Sequence, residues 1–199
     1  MWIGSNPLIQ DLPSFQEQVK QTCRFLEGSG VPYLVIGGLA SSILGEPRMT
    51  ADLDLLLYGQ NKDLSIFLKK ARQAGFDVDE KKALADAESR LCFEMKLGSL
   101  HVDCLIAGTA FEFEALGRSR ILKFQEIQLH LPSIEDFLLL KLIAGRDKDL
   151  VDAKTAAMRH KNTLDLGYMK KWAETFRLAR PDSPVLERLK RLLEKTNIH

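Results

Sequence analysis

The apolar positions of this chain follow two rhythms. A period near 3.6 runs through Leu12, Phe15, Val19, Cys23 and Leu26 up to Gly28-Ser29-Gly30, and again through Leu64, Phe67, Leu68 and Ala71 up to Gly75. These patterns predict amphipathic helices over about 11–28 and 63–74. Shorter apolar runs predict strands. Tyr33 to Ile36 reads as a buried strand, Gly37-Gly38 as a turn, Leu39 to Leu44 as a short helix, and DLDLLL at 52–57 as a second strand. Arg90 to Leu97 and Leu100 to Ile106, joined by Gly98-Ser99, predict a β-hairpin, and Ile121 to Leu131 a further strand pair closed by Pro132. The charged, weakly patterned stretch from Asp77 to Ser89 predicts a short helix and a mobile loop. Ser133, with Asp136 three residues on, opens a helix with a capping-box-like start. From Asp149 onwards the chain reads as helices over roughly 150–161, 165–178 and 184–195, broken at Arg180-Pro181-Asp182-Ser183-Pro184.

Three places break these rhythms. Side chains of a strand alternate faces, so Asp52 and Asp54 point the same way while Leu53, Leu55 and Leu57 point into a core. Two carboxylates held side by side repel unless a cation lies between them, and hard divalent ions choose carboxylate oxygens. Asp103 stands in the apolar strand HVDCLIA, on the face of His101 and Leu105. Lys141 falls in the middle of the stripe Ile134, Phe137, Leu138, Lys141, and a buried ammonium must find an anion.

At 199 residues, 45% hydrophobic and 28% charged, the chain has ordinary globular composition and is not disordered throughout. The net charge of +1 hides an asymmetry: 14 Lys and Arg stand against 8 Asp and Glu from Lys141 to the C-terminus. A basic C-terminal third beside an acidic centre suits a polyanionic substrate, although solvated helix faces would read the same way. Cys23, Cys92 and Cys104 have neither disulfide nor zinc spacing, and His101, His130, His160 and His199 have no ligand spacing. No stretch reaches the ~20 apolar residues of a membrane span and no signal-peptide pattern opens the chain. A cytoplasmic protein without membrane contact is the expectation.

The order strand, Gly37-Gly38, helix, Asp52-Leu53-Asp54, then Val102-Asp103-Cys104 resembles the nucleotidyltransferase superfamily of polymerase β-like fold. IGGLA, the Arg48-Met49-Thr50 run before DLDL, and KLIAGRDKDLVDA at 141–153 are similar to minimal nucleotidyltransferases of the AbiEii type, known chiefly as toxins of toxin–antitoxin pairs. The likeness to the superfamily covers residues 30–107, and the AbiEii-like features carry it to about 155. It implies an α+β fold, a mixed sheet of four to six strands flanked by helices, with a core over 1–132 and a helical C-terminal region over 133–199 packed on it. Gly38 stands where many superfamily members have Ser, and the interval from Lys141 to Asp149 is shorter than in larger AbiEii-type toxins.

The resemblance implies that Asp52, Asp54 and Asp103 hold Mg²⁺ or Mn²⁺, with Asp103 also activating the acceptor, and that Gly37 and Gly38 at a helix N-terminus approach the phosphates of a nucleoside triphosphate. Arg48, Thr50 and Lys141 are candidates for the phosphate oxygens, Ser41 could add a hydroxyl contact or serve packing alone, and Arg146 stands with Asp149 and Asp152 as a nucleotide-site candidate. Asp149 and Asp152 match the family's basic-Asp-x-x-Asp pattern and orient Lys141 or the nucleotide, with helix capping by Asp149 as the alternative. The expected partners are an NTP, a tRNA or other RNA, or a protein side chain as acceptor, and a cognate antitoxin. Two other readings stay open. The same metal site could transfer a phosphoryl group, or the fold could be a degenerate, non-catalytic interaction module or antitoxin-side partner, although three retained aspartates speak against the second.

Overall fold

In the computed structural model, which describes residues 14–59, 61–124 and 127–198, the first helix begins at its cap. The Ser14 side chain accepts from the Glu17 N–H, and α1 (Phe15–Ser29) runs until Gly30 turns left-handed at φ 75°. Leu12, the tip of the predicted strand pair at 125–126, and His199 lie outside the described residues.

Four strands make one mixed sheet. β1 (Tyr33–Ile36) pairs antiparallel with β2 (Asp52–Leu57), β2 pairs parallel with β4 (Leu100–Ile106), and β4 pairs antiparallel with β3 (Cys92–Leu97). The β3–β4 turn is Gly98-Ser99, and Gly98 takes the positive φ that a two-residue turn needs. One face of the sheet is core. Tyr33, Val35, Leu53, Leu55, Leu57, Phe93, Met95, Val102 and Cys104 are buried there with Val19, Cys23 and Leu26 of α1 and Phe67 and Leu68 of α3 (Asn61–Gln73). Each Val, Leu, Phe or Met among them contributes about 1.5–3 kcal/mol on burial. One end of the opposite face is closed by Leu34 and Leu56 packing with Ala115 and Leu116 of a short helix, α5 (Ala110–Gly117).

Several expectations need correction. Residues 77–89 hold no loop of the kind predicted. Asp79 accepts from the N–H groups of Lys81 and Lys82, and α4 (Glu80–Arg90) runs unbroken to a left-handed Leu91. Its buried face is Ala83 and Ala87, too small to stand out in a search for large apolar residues, and Arg90 ends this helix instead of starting a strand. Gly37-Gly38 is not a turn ahead of a helix but the first turn of α2 (Gly37–Leu44). The strand pair β5 (Arg120–Phe124) and β6 (Ile127–Leu131) forms a separate two-stranded sheet beside β1, with the Tyr33 hydroxyl donating to the Gln128 carbonyl.

The remaining helices are α6 (Ile134–Ala144), α7 (Asp147–His160), α8 (Leu166–Ala179) and α9 (Val185–Thr196). Ser133 caps α6 by accepting from the Asp136 N–H at 3.2 Å. Asp136, wholly buried, does not close a capping box but takes hydrogen bonds from Ser133 Oγ, Arg118 and the Tyr168 hydroxyl. Left-handed Gly145 ends α6, and Arg188 of α9 donates to the Leu142 carbonyl at 2.7 Å. The chain then turns straight into α7.

Candidate active site

The parallel register of β2 on β4 sets Asp52 across from His101 and Asp54 across from Asp103. The antiparallel register of β3 sets Glu94 on the other side of Asp103. Paired residues in a sheet share a face, so Asp54, Asp103 and Glu94 form an acidic row across three strands, with Asp52 and His101 one step along. This row lies on the open side of the sheet. Asp52 and Glu94 are exposed, Asp54 and Asp103 half-buried. Burial raises the Asp103 pKa above the usual carboxylate range, and the charges of Asp54, Glu94 and Asp52 push it further, while His101 pulls it partly back.

Two glycines let α2 start against this row. A Cβ on Gly37, whose φ is +62°, would lie 1.8 Å from Asp54 Oδ2. A Cβ on Gly38 would lie 2.5 Å from Thr50 Oγ1. Asp54 Oδ2 accepts from the Gly38 N–H at 3.3 Å, so a carboxylate already sits at the positive end of α2. Helices α2 and α7 lie side by side and point the same way: Ser41 meets Asp152, Gly45 meets Thr155, and the Leu44 carbonyl meets His160. Their N-termini therefore open at the same end as Asp54.

Lys141 finds its anions within the chain. Its ammonium donates to Asp149 Oδ1 at 3.0 Å and Asp152 Oδ2 at 2.8 Å, and its side chain is only 7% exposed. Asp152 also accepts from Ser41 Oγ at 2.8 Å and from two nitrogens of Arg48, each at 3.2 Å. Asp149 also accepts from Arg146 Nε. Burial alone would raise both carboxyl pKa values. Arg146 and Lys141 bonded to Asp149, and Lys141, Ser41 and Arg48 bonded to Asp152, hold them below the usual range instead. Asp149 does not cap α7, since its side chain is committed to Lys141 and Arg146 and the cap position is Arg146. Ser41 spends its hydroxyl on Asp152 and the Gly37 carbonyl, and Thr50 donates to the Asp52 carbonyl. Arg48 and Arg146 are the more open ends of the cluster, at 38% and 64% side-chain exposure.

All the candidate residues thus gather around the shared end of α2 and α7 and the open face of β2 and β4. Glu94 was missed, although counting back from the Gly98-Ser99 turn pairs it with Asp103. Four carboxylates on one face, Asp52, Asp54, Asp103 and Glu94, suit a hard divalent cation by their donor chemistry. Among the described residues no three His, Cys, Asp or Glu side chains are gathered closely enough to hold an ion, and Asp54 is hydrogen-bonded to Gly38. No helix among them is long and apolar enough to cross a membrane.

No family model matches the chain, and no curated protein does. Solved structures do. ANT(2″)-Ia in complex with adenylyl-2″-tobramycin is similar over 83% of this chain and 97% of its own, at 18% identity and a TM-score of 0.56. The solution structure of ANT(2″)-Ia, an antibiotic-resistance factor, covers 92% of this chain and 96% of its own at 17% identity and a TM-score of 0.54. An antigenic nucleotidyltransferase-like protein from Paracoccidioides brasiliensis covers 85% and 91% at 16% identity and a TM-score of 0.48. The fold is the α+β nucleotidyltransferase fold, a mixed sheet flanked by helices with helices following it.

Proposed function

We propose that this chain is a metal-dependent nucleotidyltransferase that moves a nucleotide from a nucleoside triphosphate to an acceptor hydroxyl. The observation that carries the reading is the pairing of Asp54 with Asp103 across two parallel strands, with Asp52 on the same face and a glycine-started helix against them. Asp52, Asp54 and Asp103, not gathered around an ion in the chain alone, would draw together to hold Mg²⁺ or Mn²⁺, which when bound neutralises charge on the triphosphate and on the departing pyrophosphate. The first turn of α2, freed of side chains at Gly37 and Gly38, would receive phosphate oxygens on its N–H groups once Asp54 turns from Gly38 to the metal. Arg48 and Arg146 face the same place and Thr50 lines it. Asp103 takes the proton of the acceptor hydroxyl, whose oxygen bonds to the α-phosphorus as the bond to the β-phosphate oxygen breaks and pyrophosphate leaves. Residues 1–132 supply the metal and glycine elements in this reading, and 133–199 supply Asp149 and Asp152.

The acceptor we favour is an RNA, such as a tRNA 3′ end, with a protein side chain second. The excess of Lys and Arg after residue 140 supports the first, and the AbiEii-like runs around Arg48 and Lys141 support a cytoplasmic toxin paired with a cognate antitoxin. The test incubates the protein with each labelled NTP, Mg²⁺ and total tRNA, beside an Asp52→Ala/Asp54→Ala variant. Label in RNA or protein with the wild type alone supports the reading. Label in neither, or equally with the variant, removes it.

A further inference from the structure

We infer that Lys141 is a positioning residue whose buried ammonium aims two phosphate-binding arms, Arg48 and Arg146, through Asp152 and Asp149. The inference rests on the nucleotidyl-transfer reading and assigns the parts within it. The sequence shows only that Lys141 needs an anion, and a substrate phosphate would serve. The geometry points elsewhere. Its ammonium lies between Asp149 and Asp152 at 3.0 and 2.8 Å, and the side chain is 7% exposed. Each of those carboxylates then presents one arginine. Asp152 holds the Arg48 guanidinium through both Nε and Nη2, a planar fork with little freedom to rotate. Asp149 takes Nε and Nη2 of Arg146 in the same way.

Both arms stand where a triphosphate would lie. Arg48 Nη2 is 3.5 Å from the place a Gly38 Cβ would occupy, beside the first turn of α2. Arg146, the more exposed arm, is the N-cap of α7, whose N-terminus opens at the same end as Asp54. One buried cation between two buried anions leaves each aspartate with charge to spare for its arginine, and three cations against two carboxylates leave one net positive charge. Without Lys141 the aspartates would repel, and each would draw its arginine inward as its only counter-ion. The Arg–Asp forks would lose their direction.

The test is a double-mutant cycle on the binding of an α,β-methylene triphosphate analogue with Mg²⁺, set beside AMP, by calorimetry. Arg48→Gln and Arg146→Gln are each expected to weaken the analogue about tenfold and to leave AMP unchanged, and Lys141→Met to weaken the analogue about a hundredfold. The deciding outcome is that Arg48→Gln or Arg146→Gln added to Lys141→Met costs less than about threefold more. Losses that multiply instead would make Lys141 an independent phosphate contact and overturn the inference, as would Lys141→Met with analogue affinity unchanged. If Lys141→Met does not fold, Asp149→Asn serves: it should match Arg146→Gln, absorb any further loss from Arg146→Gln, and leave the full effect of Arg48→Gln. Full effects from both arginines in that background also overturn the inference. A wild-type protein that binds neither analogue nor AMP removes the nucleotidyl-transfer reading itself, which separates the two failures.

Discussion

Asp54 and Asp103 stand directly across from each other on two parallel strands, with the first turn of α2 against Asp54. Two like charges at that spacing cost stability in the metal-free chain and reward a cation. Asp103→Asn should therefore stabilise the metal-free protein by about 1 kcal/mol while cutting transfer roughly 10²-fold or more. Thermal melts with and without Mg²⁺ check it. Mg²⁺ should raise the wild-type midpoint and not the variant's, and equal shifts would show that Asp103 holds no metal.

Gly37 is confined twice, by its left-handed φ and by Asp54. Gly37→Ala is expected to cost about 1–2 kcal/mol from the backbone alone, and its methyl would push the Asp54 carboxylate out of place. Urea unfolding and label transfer read the two losses separately. A variant that unfolds at the wild-type midpoint and transfers normally would mean that the close approach of α2 to Asp54 is unimportant.

Gly38 makes room for Thr50, since a Cβ there would come within 2.5 Å of its Oγ1 and 2.9 Å of its Cβ. Gly38→Ser should lose about 1–3 kcal/mol by overpacking, and Gly38→Ser/Thr50→Gly should recover most of that. Unfolding midpoints of the pair decide it: if the second change deepens the loss, the two side chains do not compete for one space.

Asp149 and Asp152 both have lowered pKa values in the folded chain. The unfolded chain therefore binds protons that the folded one refuses, and their stabilisation is complete above the ordinary carboxylate value of about 4 and lost as pH falls through their lowered folded values. Asp152→Asn should be less stable than wild type at pH 6 and show a shallower fall between about pH 4 and 2. Urea midpoints across that range measure the two slopes, and parallel slopes would sink the assignment.

Burial holds the Cys23 thiol at a pKa of about 12 and pushes Cys104 well above its usual value, whereas Cys92 is half-buried. A thiol reagent should modify Cys92 alone in the native protein and all three cysteines in denaturant, as counted by intact mass. Early modification of Cys104 would mean that β4 is not the closed inner strand seen here.

Much of the site is legible along the chain because strands carry their own geometry. The alternation of DLDLLL puts two aspartates on one face, and the two-residue turn at Gly98-Ser99 fixes every pair of the β3–β4 hairpin, Glu94 and Asp103 included. The parallel pairing of β2 with β4 is different, since it joins residues far apart and no local pattern sets it. Lys141 shows the same limit. Its place in an apolar stripe demands an anion, but a substrate and an aspartate of the next helix satisfy that demand equally, and only the bend at Gly145 decides between them. The full length of α4 is hidden in the sequence because alanines bury a helix face without announcing it.

The parallel run of α2 and α7 joins two distant places mechanically. Arg159 and His160 grip the last carbonyls of α2, while Asp149 and Asp152, some two to three turns back along the same helix, carry the charges that meet Lys141, Ser41, Arg48 and Arg146. α7 thus clamps α2 at two levels, at its last carbonyls and at Ser41, so the glycine-started first turn that meets Asp54 belongs to a helix whose register is held from outside the sheet.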